Sequence, residues 1–127
     1  MLDLATLDQP NKPNQFLAAP SGFSSARPHR SVPQFPMPAV ELAEAFRAMA
    51  LAQPRTELRE QSGDGQAMEF VQRSALFRFP DIVTVQVIPV DEARSTLAIY
   101  SRSVYGHLDF GVNRKRVDLW LANLAQA

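Results

Sequence analysis

Ile82-Val83-Thr84-Val85-Gln86-Val87-Ile88, then Asp91-Glu92-Ala93-Arg94, then Thr96-Leu97-Ala98-Ile99-Tyr100-Ser101-Arg102-Ser103, is the stretch that decides the fold. Val83, Val85 and Val87 alternate onto one face, and Leu97 and Ile99 align in the segment that follows. That two-residue period belongs to half-buried strands. The Asp91–Arg94 link is a hairpin loop, too short for a parallel crossover. Upstream, Pro80-Asp81 reads as a tight turn after a strand from about Gln66 to Arg73 that sets Met68 and Phe70 on one face. Ser62-Gly63-Asp64-Gly65 has turn chemistry, and a polar strand occupies about Arg55–Gln61.

Helices flank these strands. Pro38 suits a first helical position, and Ala39, Leu42, Ala43, Phe46, Met49 and Ala50 recur at three- and four-residue spacing. Glu41 and Glu44 favour the positive helix end, and Pro54 stops the helix. A loop around Val104–Leu108 leads to Asp109, an expected N-cap. Phe110, Val117, Trp120, Leu121 and Leu124 then mark one face of a second helix. The expected fold is α+β: a four-stranded antiparallel meander with two helices packed on one face.

Residues 1–38 differ in character, holding seven of the ten prolines. Proline fixes φ and removes a donor, so neither a long helix nor a central strand is expected. Yet Leu2, Leu4, Leu7, Phe16, Leu17, Phe23, Val32 and Phe35 are too many large apolar groups for a linker. The expectation is an extended Pro-rich arm over 1–38, packed on a single domain over 39–127.

With 127 residues, 46% hydrophobic and 20% charged, the chain suits one globular domain. It has no cysteine, which excludes disulfides, thiolate metal sites and cysteine nucleophiles. Thirteen basic residues balance thirteen acidic ones, so nothing global draws it to nucleic acid, and no nucleic-acid partner is expected. Leu2–Leu7 is too short and too acidic for a secretory signal. Ala39–Ala52, the longest apolar stretch, is broken by Glu41, Glu44 and Arg47, so no transmembrane segment is expected.

The block from Tyr100 to Arg116 carries most of the candidate chemistry. It leaves a strand, turns at Gly106 and enters a helix with four cationic side chains. Amides at a helix start beside Arg and Ser donors can form an anion site. Arg102, Asp109 and Asn113 would organise the junction, with Arg73 or Arg116 offering a fork of donors. The structural alternative has Arg102 pairing Asp109 or capping carbonyls, and Arg114, Lys115 and Arg116 forming a solvated face. Ser101 or Ser103 with His107 and Asp109 supplies the residue types of a hydrolase triad, but no Gly-x-Ser-x-Gly elbow accompanies them. His29 and His107 lack metal-ligand spacing, so no metal or cofactor is expected. Phe77 and Phe79 are expected to close a strand end over the core, and Asp81 to fix its turn by bonding its own backbone.

Two stretches resemble the signature of the DUF1499 family: Arg73-Ser74-Ala75-Leu76-Phe77-Arg78-Phe79-Pro80-Asp81-Ile82-Val83, and Tyr100-Ser101-Arg102-Ser103 continued by Gly106 and Asp109-Phe110-Gly111-Val112-Asn113-Arg114-Lys115-Arg116. Pro13-Asn14 also resembles a Pro-Asn pair of that family, here without its cysteines. Arg73, Ser74, Asp81, Ser101, Arg102, Ser103, Gly106, Asp109, Gly111, Asn113 and Arg116 fall on motif positions. The spacing of basic residues after Tyr100 departs from the usual pattern, and His107 stands where the pattern asks for no histidine. The resemblance implies no assigned activity. It implies relatives with a membrane segment or lipoprotein signal before a stretch like Leu2–Pro20. Envelope association is therefore the expectation if such an anchor precedes the chain, and a cytoplasmic location otherwise. Eleven arginines against two lysines suit a high-GC bacterial genome.

The leading expectation is a non-enzymatic binding domain with a candidate site of Arg73, Ser74, Ser101, Arg102, Ser103, Asp109, Asn113 and Arg116. Its ligand would be a small anion, a lipid headgroup or a protein carboxylate. The alternatives are a hydrolase using Ser101 or Ser103, and a structural or oligomerisation module whose partner surface is an exposed apolar patch.

Overall fold

The computed structural model describes residues 1–8, 12–106 and 109–126. Strand β1 covers Gln15–Ala18, helix α1 Ala39–Leu51, β2 Thr56–Gln61, β3 Ala67–Arg73, β4 Pro80–Pro89, β5 Ser95–Ser103 and helix α2 Val112–Ala125, with a single 3-10 turn at Leu4–Thr6. The strands form one antiparallel sheet in the order β1-β5-β4-β3-β2. The α+β class and the meander β2–β5 are as expected, but the sheet has five strands, not four.

The additional strand lies inside the proline-rich segment. Its pairing with β5 sets Phe16 opposite Ser101 and Leu17 opposite Tyr100. Asn14–Ala19 is a proline-free window, and an edge strand tolerates prolines on either side. All four β1 residues are buried, the polar Gln15 among them, so no alternation of apolar and polar residues reveals the strand.

Strand parity places the core. Met68 and Phe70, Val83 with Val85 and Val87, and Leu97 with Ile99 face the helices, joined by Phe16 and Ala18. Leu42, Phe46 and Met49 of α1 and Val117, Trp120, Leu121 and Leu124 of α2 cover them. Phe46, Phe70 and Trp120 meet as a trio with ring centroids 5.9–6.0 Å apart, the spacing of tilted and edge-to-face rings. The opposite sheet face is partly covered by the N-terminal segment: Leu4, Leu7, Ala19 and Ala26 cluster with Leu17, Ala98 and Tyr100. Leu4 is held there by Ser24, whose hydroxyl donates to its carbonyl at 2.6 Å.

Two turns differ from expectation. Pro80-Asp81 is the start of β4, a position proline can hold because a first strand residue needs no amide donor. The chain reverses earlier, where the Ser74 amide donates to the Phe79 carbonyl and the Phe79 amide to the Ser74 hydroxyl, both at 3.0 Å. Arg78 takes φ +59° to close it. Phe77 and Phe79 therefore lie in a protruding loop and do not cover the core as expected, at 67% and 53% exposure. Likewise Phe110 is not on the buried face of α2. It precedes the helix at φ +53° and is 89% exposed. Gly111 supplies the left-handed N-cap at φ +79°, ahead of the first turn and not inside it.

Candidate functional site

Parity divides the expected site residues between the two faces of the sheet. On β5, Ser101 and Ser103 share the helix side with Leu97 and Ile99, whereas Arg102 points with Ala98 and Tyr100 to the other side. The eight candidates therefore do not converge. Ser101, Ser103, Asp109, Asn113 and Arg116 form one cluster, Arg102 belongs to a second, and Arg73 ends β3 with Ser74 opening the turn that follows.

The first cluster is centred on Asn113, fully buried in the first turn of α2. Its Oδ1 accepts from the Ser101 hydroxyl at 2.6 Å and from Arg116 Nη1 at 2.9 Å. Its Nδ2 lies within donating reach of Asp109 Oδ2 at 2.8 Å, Ser103 Oγ at 2.9 Å and the Asn14 carbonyl at 3.0 Å. Arg116 is nearly as enclosed, its side chain 9% exposed. Nε donates to Gln72 Oε1, Nη1 also to Ser101 Oγ at 3.0 Å, and Nη2 to Asp81 Oδ2 at 2.8 Å. Asp81 does not bond its own turn. As the first helix-facing residue of β4, it provides the counterion of Arg116.

Asp109 caps α2 from two residues before the N-cap, accepting from the amides of Gly111 at 2.8 Å and Asn113 at 3.1 Å. Burial raises its pKa, but the hydrogen bonds from the Asn113 side chain and from both amides outweigh that and hold the carboxyl below its usual range. The helix start that could have bound an anion is thus occupied by the chain's own carboxylate.

On the opposite face, Arg102 pairs Glu69 at 3.3 Å and not Asp109. It also donates to Thr84 Oγ1 at 2.9 Å, and its guanidinium lies 4.9 Å from the centre of the Tyr100 ring. Burial draws the Arg102 pKa down, opposed chiefly by the Glu69 charge. Arg114 and Lys115 are exposed, as the solvated-face expectation has it, but Arg116 is not. Arg116 has Nε and both Nη nitrogens bonded within the chain, whereas Arg102 has both Nη nitrogens so engaged and its side chain 21% exposed.

Ser101 is buried and bonded between Asn113 and Arg116, and no base touches it among the described residues. His107 lies outside the described residues. His29 serves β1, its Nδ1 accepting from the Leu17 amide at 2.9 Å while its ring stacks on Phe16 at 5.1 Å. A shallow cleft of about 500 Å³ beside it is lined by Pro13, Gln15, Phe16, His29, Asp109, Phe110, Gly111 and Arg114, and shares only Asp109 with the candidates.

Against this geometry, a family model described as "Protein of unknown function (DUF1499)" matches residues 5–124. The chain belongs to the DUF1499 family. Comparison with curated proteins and with solved structures returns no match. In this DUF1499 member the motif positions Asp81, Ser101, Ser103, Asp109, Asn113 and Arg116 assemble around one junction. Gln72, Glu69 and Thr84 belong to the same polar networks and escape a motif reading, whereas Asn14 belongs to the Pro13-Asn14 pair. Strand parity signals Gln72, a polar residue at a core-facing position beyond Met68 and Phe70.

Proposed function

We propose that this DUF1499 chain is a non-enzymatic interaction domain of a bacterial cell envelope. Its Asn113–Arg116 cluster fastens the fold, and its contact surface lies at the aromatic end of the sheet. One observation carries the proposal. The β3–β4 turn and the loop after β5 together expose Leu76, Phe77, Phe79, Val104 and Tyr105, at 52–79% each. Phe77 stacks on Phe79 at 5.5 Å and Phe79 meets Tyr105 at 5.9 Å, so side chains of two separate loops form one ridge. Contiguous exposed apolar groups of this kind mark interaction sites, while singly scattered ones carry no such meaning.

The enclosed Asn113–Arg116 cluster supports the same reading, since its side chains are bonded to one another and hold the strands to α2. The test is a photo-crosslinking residue at Phe77 in cells, with the same residue at Val90 on the opposite end as control. A discrete adduct at 77, absent at 90, is expected. Equal labelling at both positions, or none, overturns the proposal.

A further inference from the structure

The aromatic ridge lies within a polarised distribution of charge. The antiparallel registers bring the starts of β1, β2 and β4 and the ends of β3 and β5 to one end of the sheet, with the start of α2 beside them. Lys12, Arg55, Arg73, Arg78 and Lys115 are exposed there. Of the carboxylates at that end, Asp81 is paired with Arg116, Asp109 caps α2, and Glu57 stays exposed. The other end carries the exposed acids Glu41, Glu44, Asp64, Asp91 and Glu92, and the exposed Arg94 there is paired with Asp91 at 2.8 Å. A chain of zero formal net charge is thus basic and aromatic at one end and acidic at the other.

The ridge also suits an apolar medium in its backbone. The amides of Ser74 and Phe79 are bonded across the turn, so entry of the side chains leaves those two donors satisfied. Aromatic rings favour the boundary between headgroups and acyl chains, and arginine stems lie along apolar surface while their heads reach phosphate. An apolar layer under a sheet of negative charge matches both halves of this surface at once.

We propose that this end docks on an anionic lipid bilayer. Leu76, Phe77, Phe79 and Tyr105 enter the headgroup–acyl boundary, and Arg73, Arg78 and Lys115 pair with lipid phosphates. The inference rests on the aromatic end being the contact surface and adds the identity of what it contacts. The acidic end faces away from the bilayer, which fixes the orientation of docking as well as its strength.

The experiment is co-sedimentation of the purified chain with vesicles of phosphatidylcholine alone and of phosphatidylcholine mixed with phosphatidylglycerol. The chain is expected to pellet with the mixed vesicles, to stay in solution with the neutral ones, and to be released as salt is raised. Phe77→Ser with Phe79→Ser lowers partitioning by on the order of tenfold or more. Arg73→Gln with Arg78→Gln lowers it by roughly tenfold on mixed vesicles only. Circular dichroism melts of both variants match wild type, because the replaced side chains are exposed. Equal pelleting with both lipids, none with either, or wild-type binding by the phenylalanine variant overturns the inference. A protein adduct at Phe77 in cells combined with no vesicle binding leaves the contact surface standing and removes the bilayer. Monomer–dimer exchange abolished by the phenylalanine variant, again without vesicle binding, assigns the ridge to a second copy of the chain.

Discussion

Replacing Arg116 by alanine separates a fold clamp from a ligand site. The substitution removes a guanidinium that is 9% exposed and leaves the Asp81 carboxylate, 15% exposed and opposite Gln72 in the sheet, without its counterion. Breaking an enclosed pair by deleting one partner costs about 3–5 kcal/mol, and the residual exposure of Asp81 points to the lower figure, about 3 kcal/mol. With an unfolding entropy of roughly 2.1 cal/mol/K per residue, 127 residues give about 0.27 kcal/mol/K near the midpoint. The melting temperature should therefore fall by about 10 °C, read by circular dichroism or calorimetry. Asp81→Leu combined with Arg116→Met removes both charges and fills the space, and should recover much of that loss. Arg73→Ala, at an exposed turn, should stay within about 2 °C of wild type. An Arg116→Ala protein that melts within the same 2 °C would refute the clamp, because an enclosed arginine making four hydrogen bonds cannot be thermally silent.

Further expectations follow from other parts of the network. Asn113→Ala takes the acceptor from the buried Ser101 hydroxyl and leaves the Asn14 carbonyl with the Ser103 amide alone, and should cost about 2–4 kcal/mol in urea titration, with the slope unchanged. Asp109 has a lowered folded-state pKa, so its contribution is complete above the unfolded value near pH 4 and is lost as pH falls through the folded one. Asp109→Asn should accordingly flatten the acid limb of a plot of melting temperature against pH. Glu69→Gln leaves Arg102 without its counterion on the opposite face, and a loss of about 2 kcal/mol is expected by chemical denaturation. Deleting residues 1–19 removes β1, bares the β5 edge and uncovers Ala98 and Tyr100, and should yield aggregates on size-exclusion chromatography.

The meander was legible because Met68 and Phe70, Val83, Val85 and Val87, and Leu97 and Ile99 recur at every second residue of β3, β4 and β5, and α1 keeps its helical spacing from Ala39 to Ala50. Strand β1 was not, since Gln15–Ala18 is buried throughout and therefore has no alternation, and the surrounding prolines argue against a strand. Phe110 and Gly111 misled for a related reason: a phenylalanine at helical spacing looks like core until the left-handed glycine is seen to start the helix after it. The site was half legible. The motif collected Asp81, Ser101, Asn113 and Arg116 without showing that they touch. Arg102, one residue from Ser101, joined the list although the pleat sends it to the opposite face. Glu69 and Thr84 became visible as its partners only once the β3–β4 and β4–β5 registers were fixed.

The pairing of β1 with β5 also sets a timetable for synthesis. Asn14 and Asn113, joined by one hydrogen bond, are 99 positions apart, and the strand beside Asn14 has no sheet to join until Ser103 has been made. At about 5–20 residues per second, the ribosome leaves Phe16 and Leu17 without their neighbours for on the order of ten seconds. Closing so distant a contact is slow in its own right. The prolines crowded around β1 keep that waiting stretch stiff and poor in amide donors, a form in which it is ill suited to join strands of other nascent chains.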